Sequence, residues 1–180
     1  PFSPAESIEI SKVVDTWLYA ERNLPAMPEK WPFTQKLNIR AGEEREIILK
    51  DAGVIRQMVV SAKPNNPETW RNTSFVVYWN GNAVKSIDVP LGYFFGNADY
   101  ASMFRYNSML TGITGDGAYA MFPMPFGNGA KLVFMNHNHE DMELEVKLNI
   151  EVKTGLEPET GFFHATLSEV QPYDVNYDSL

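Results

Sequence analysis

The residues in this chain best suited to chemistry are carboxylates set among aromatics. Asp88, Asp99 and Asp116 each lie in or beside a stretch rich in Tyr, Phe, Gly and Pro. Hydrolysis of a glycosidic bond needs two carboxyl groups, ~5–5.5 Å apart for retention or ~6.5–9.5 Å for inversion. Asp99 stands in a long aromatic segment and reads as a ligand contact, although no partner spacing fixes a catalytic role for it. Asp116 stands in Gly115-Asp116-Gly117, which is also a common turn composition. Tyr93, Tyr100, Phe104 and Tyr119 have the ring faces to stack a sugar. The same four residues equally suit a sandwich interior or a subunit contact.

A second constellation is His137-Asn138-His139-Glu140-Asp141-Met142-Glu143. Two histidines at i and i+2 share one face of a strand, and with Glu143 they make a ligand set for a divalent metal. The His-x-His pattern with a following Glu resembles the first metal motif of cupins. The companion Pro-Gly-x-x-His is missing, and His164 is the sole remaining histidine. A solvated turn between two strands accounts for the same residues without metal. The expectation is therefore no cofactor, with a divalent metal at His137, His139 and Glu143 as the alternative. There is no Gly-x-Ser-x-Gly elbow to raise Ser108 or Ser168 to a nucleophile. No Gly-rich phosphate loop precedes a helix. The absence of cysteine removes thiol nucleophiles, thiolate metal sites and disulfides.

The elements that must position these residues follow from composition and pattern. The chain has 180 residues, about one domain, and is 44% hydrophobic and 13% aromatic. With 12 Gly and 12 Pro, that balance favours an all-β sandwich or barrel over a helical bundle. A formal net charge of -8 excludes nucleic acid and anionic membrane surfaces as partners, while a neutral sugar remains compatible. No run approaches the ~18 apolar residues of a membrane span. The chain opens at Pro1 with no signal-like apolar segment, which reads as a mature or trimmed fragment.

Ser3-Pro4-Ala5-Glu6 reads as a capping box and predicts a short N-terminal helix within residues 1–24. Alternation of Ile8 and Ile10 with Glu9 and Ser11 fits a strand as well. Pro25, Pro28 and Pro32 make an extended connection up to residue 36. Strands follow around 37–39, 46–49, 54–60 and 75–79. Asn80-Gly81 predicts a type I′ hairpin turn whose second arm runs from Asn82 to Ile87. Residues 97–118 read as a long irregular segment. Further strands are expected at 119–126 (broken by Pro123 and Pro125), 130–135, 144–152 and 161–167. The organisation is an arm over 1–36, an antiparallel jelly-roll sandwich over 37–170, and a tail or linker start over 171–180.

Two stretches carry a family likeness. Asp88–Gly96 contains Val-Pro-Leu-Gly-x-Phe-Phe-Gly. Gly115–Phe126 contains Gly-Asp-Gly-x-Tyr-x-x-Phe-Pro-Met-Pro-Phe, followed by a strand ending in Asn136. Together they resemble the α-D-fructofuranosidase and D-arabinofuranosidase family, glycoside hydrolase family 172, over roughly Leu37 to Thr166. The resemblance implies the first of two jelly rolls, a carbohydrate ligand, and assembly as a homo-oligomer, a trimer or a multiple of one. It also implies a secreted or periplasmic setting. The family's catalytic glutamates belong to later motifs that do not occur in these 180 residues. Tyr93 stands where the family carries an Asp. The expected role is therefore the non-catalytic half of a furanoside-active enzyme, giving sugar binding or a subunit interface. Any activity would be on fructofuranosides or arabinofuranosides. The alternatives are a cupin-like metal enzyme and a purely structural trimer-forming jelly roll.

Overall fold

The computed structural model of the protein describes residues 27–97, 106–114 and 117–168. The expected N-terminal helix and the tail from residue 171 lie outside them. Twelve strands and two short helices are described. In chain order they begin with β1 (Phe33–Ile39), β2 (Glu44–Leu49), β3 (Ala52–Lys63), α1 (Pro67–Arg71) and β4 (Thr73–Trp79). Then come β5 (Ile87–Pro90), α2 (Leu91–Phe94), β6 (Tyr106–Asn107), β7 (Thr111–Thr114) and β8 (Gly117–Ala120). The last are β9 (Met124–Phe126), β10 (Ala130–Asn136), β11 (Met142–Lys153) and β12 (Ala165–Thr166).

One sheet runs β1-β11-β3-β8-β7-β6, with β9 also on β3, and the other runs β12-β5-β4-β10-β2. Antiparallel pairs β1–β11, β2–β10, β3–β8 and β4–β5 nest one inside the next. That nesting is a jelly roll, the architecture expected from the sequence. β11 shows how the pattern makes the sandwich: Met142, Leu144, Val146 and Leu148 are buried, while Glu143, Glu145 and Lys147 between them face outward. On β3 the register against β11 slips between Asn149 and Ile150. The extra residue is Arg56, so Ile55 and Met58 both reach the core, at 0% exposure each. Arg56 turns out to Glu151, 2.7 Å away. Buried residues of both sheets form a single apolar cluster.

Several boundaries differ from the sequence reading. β1 starts at Phe33, inside the stretch read as an extended connection. Asn80 and Gly81 have φ of 60° and 70°, and Asn82 donates to the Trp79 carbonyl at 3.0 Å, as a type I′ turn requires. Ladder pairing resumes only at Ile87 opposite Val77; residues 82–85 between are exposed, and Ser86 turns back in, donating to the Val77 carbonyl at 2.8 Å. The proline-rich stretch before β4 holds α1, capped by the Asn66 side chain accepting from Thr69 N at 2.8 Å. The expected strand over 161–167 is reduced to the two residues of β12, parallel to β5.

The largest difference lies in the segment 97–118, read as irregular: its described residues hold β6, β7 and the start of β8, which form a three-stranded ladder, β6-β7-β8. The glycines that suggested a loop are there for close approach. A Cβ at Gly112 would collide with the Tyr119 ring, and one at Gly117 (φ 141°) with the Val60 carbonyl. The His137–Asp141 connection is also no hairpin: it carries the chain from β10 in one sheet to β11 in the other.

Candidate functional site

The two family-like stretches meet. After β5, Pro90 fixes the exit and α2 turns the chain so that Phe94 and Phe95 enter the interior, at 6% and 0% exposure. Gly92 packs on Trp70 of α1, and Gly96 takes a φ of 81°. From the second stretch, Phe122 sits in the break between β8 and β9, the interruption that Pro123 imposes. Phe94 and Phe122 stand 6.1 Å apart and nearly perpendicular. They line the side of the sandwich where β5 of one sheet faces β8 and β9 of the other.

A third ring completes this seam. Phe163 stacks on Phe122, with centroids 5.1 Å apart and an interplanar angle of 17°. It stands 6.3 Å from Phe94, again near perpendicular. Its carbonyl accepts the indole N–H of buried Trp79 at 2.8 Å. Inward from the seam, Phe94 contacts Phe75 at 4.8 Å, which stacks on Phe134 at 5.1 Å. Offset and edge-on pairs of this kind add about 0.5–1.5 kcal/mol each beyond the area they bury. Phe122 and Phe163 are only half-buried, so at the seam the aromatic core reaches solvent.

The residues expected from the sequence to act are distributed as follows. Tyr93 is half-buried in α2. Tyr119 is 1% exposed, with its hydroxyl donating to the Ser108 carbonyl at 2.9 Å, so its ring holds the β7–β8 ladder and presents no face for a sugar. Asp88 projects from β5 and pairs with Lys85 at 2.8 Å. That hydrogen bond, with the carboxylate's charge, raises the pKa of Lys85 above its ordinary value. Asp99, Tyr100, Phe104 and Asp116 lie outside the described residues.

His137, His139 and Glu143 are not brought together. His137 Nε2 lies 2.9 Å from the Ser74 hydroxyl, on the outer face of one sheet. Glu143 lies on the outer face of the other, 3.4 Å from Lys63. Two residues either side of an inter-sheet crossing end on opposite sides of the sandwich, whatever their sequence spacing. Among the described residues, no group of three or more His, Asp or Glu could hold a metal ion. The crossing is organised instead by Asn136, which is 0% exposed. Its amide nitrogen donates to the carbonyls of Ile39 (3.0 Å) and Glu140 (2.9 Å). Its amide oxygen accepts from the backbone and side chain of Asn138.

Sequence reading singled out neither Phe122 nor Phe163 as site residues. Both sit in aromatic-rich stretches beside Gly or Pro, which was the available signal. Their meeting depends on a contact across forty residues. The fold defines an all-β jelly-roll sandwich module, with the two family-like stretches meeting at one aromatic seam. A family model described as GH172 domain-like matches residues 32–148, more than half of the chain, and the protein belongs to that glycoside hydrolase-related family. A search of curated proteins returns no match.

Proposed function

We propose that this chain is a furanoside-related module that supplies one wall of a sugar site without carrying out hydrolysis alone. The supporting observation is the convergence of both family-like stretches on one half-open aromatic seam, Phe94 against Phe122. Ring faces at a solvent boundary suit the apolar face of a sugar, which needs few charges to hold it. Among the described residues, both carboxyl groups whose pKa shifts have it lowered. Glu145 is held low first by its hydrogen bond to Lys147, and Glu151 by those to Lys153 and Arg56. A glycosidic proton donor needs the opposite shift. The ligand class, fructofuranosides or arabinofuranosides, is what the resemblance to that family implies. The test is purified chain on aryl fructofuranosides and arabinofuranosides: saturable binding with no turnover is expected. Turnover abolished by Asp99→Asn or Asp116→Asn would overturn the non-catalytic part.

A second reading, a homo-oligomer contact, is favoured by the β6–β7 turn. Met109 and Leu110 are 48% and 49% exposed there. The turn is stapled by Ser108, whose hydroxyl donates to the Thr111 carbonyl at 2.6 Å and accepts from Thr111 N at 3.0 Å. A rigid turn holding two apolar side chains in water suits a partner surface. Sedimentation equilibrium checks it: a trimer that dissociates on Met109→Ser with Leu110→Ser supports the contact, and an unchanged oligomeric state removes it.

A further inference from the structure

The segment that closes the seam is held differently from the rest of the molecule. Residues 154–168 lie beyond the family-matched span of 32–148. They cross the seam as a strap. Most of the strap is exposed, and a Cβ at Gly155 or Gly161 would meet nothing within 4 Å. Its hold on the body is narrow. Among the described residues its hydrogen bonds to the body are those of β12, with Ala165 N donating to the Ser86 carbonyl at 3.0 Å and Leu167 N to the Asp88 carbonyl at 3.4 Å, and that of the Trp79 indole to Phe163; its apolar contacts are Phe163 on Phe122 and Phe94 and Leu156 beside Gly127. Phe162 and Leu167, on either side, remain 39% and 46% exposed. A segment with few buried contacts and few hydrogen bonds opens at a small fraction of the global unfolding free energy.

We infer that Phe163 is a removable cover over an aromatic slot formed by Phe94 and Phe122, and that the slot takes a sugar ring when the strap lifts. The inference rests on the sugar-wall reading above and adds the position of the ring and its gate. With Phe163 stacked on Phe122 at a centroid spacing of 5.1 Å, one face of the Phe122 ring is covered, and such a face suits the apolar side of a sugar ring. Lifting the strap exposes the Phe122 face, brings the edge of Phe94 to solvent, and frees the Trp79 N–H to donate to a sugar hydroxyl. Cover and ligand therefore compete for the same face and the same donor. A slot closed nine-tenths of the time weakens apparent affinity about tenfold relative to an open one.

Two measurements on the full chain test this. The first is hydrogen exchange of the Trp79 indole N–H in the unaltered protein. Exchange much faster than that of the β4 and β10 amides is expected; exchange as slow as theirs means a fixed strap and overturns the gate. The second is binding of methyl β-D-fructofuranoside by titration calorimetry to the unaltered protein, Phe163→Ala and Phe163→Leu. Phe163→Ala should bind roughly tenfold tighter or more, and Phe163→Leu, which keeps an apolar plug, should bind close to the unaltered protein. Equal binding by all three overturns the cover while leaving the sugar wall standing. No binding by any of them overturns the slot and the sugar wall together.

Discussion

At the β1–β2 and β10–β11 crossings the sandwich is closed by hydrogen bonds around Asn136, whereas between β5 and β8 it is closed by stacked rings. The first closure is saturated. All donor and acceptor roles of the Asn136 amide are filled, and Gly42 N and Asn136 N exchange further bonds across the crossing with the Asn136 and Glu43 carbonyls, each at 2.9 Å. Asp141 adds another, accepting from Ala41 N at 3.0 Å. The second closure depends on ring area and has no unique geometry. A buried amide with every bond made tolerates one arrangement, since each lost partner strands a polar group. Stacked rings lose energy gradually as they slide or separate. Rigidity therefore sits at the crossings, and the capacity to open sits at the aromatic seam.

Phe94→Ala tests the aromatic closure at its inner ring and should have the largest effect, a loss of about 3–5 kcal/mol, the range for a buried Phe. Urea denaturation reads it directly. A loss under about 1 kcal/mol would mean that the seam is peripheral to the core and that the contrast drawn above is wrong. Asn136→Ala tests the polar closure and should cost about 2–3 kcal/mol, because the carbonyl of buried Ile39 and that of Glu140 both lose their Asn136 donor and the Asn138 amide loses its acceptor. The distinguishing readout is local. Asn136→Ala should accelerate exchange at both crossings together, while Phe94→Ala should accelerate it along β5 and the strap. Identical exchange patterns from the two variants would merge the closures into one unit.

How far these closures were visible in the sequence differs for a physical reason. The alternation in β11, the Asn80-Gly81 turn and the two family-like stretches are local signals, and the jelly-roll sandwich followed from them. The β6-β7-β8 ladder was hidden because Gly112 and Gly117 look like loop residues, and the space they vacate is filled from elsewhere in the chain. Likewise, His137, His139 and Glu143 look like a ligand set until the crossing between sheets separates them. Phe163 could not be assigned to Phe122 without the fold, since nothing local marks a long-range ring pair. Gly112→Ala turns this into a measurement. It should cost about 1–3 kcal/mol through the clash with Tyr119, less than losing Asn136. A neutral result would return the segment to the loop originally expected there.

The smallest expected effect separates both closures from the charged outer face. Glu145 and Glu151 have pKa values below the ordinary 4.5, set first by hydrogen bonds from Lys147 and Lys153 respectively. A carboxyl group with a depressed folded value stabilises the fold above its unfolded pKa, and that contribution fades as pH falls from about 4.5 through the lower folded value. Lys85 acts in the opposite sense. Its value lies above 10.5, so its contribution is complete below that pH and fades as pH rises through the raised value. Both effects are small, because these side chains remain open to solvent and salt screens them. Neither closure contains these groups. Glu145→Gln should therefore flatten the acid limb of a stability–pH curve, while Phe94→Ala shifts the whole curve down without changing its slope. If Phe94→Ala also steepened the acid limb, ring packing and surface charge would be coupled through β11, and the aromatic seam could not open independently of the sheet behind it.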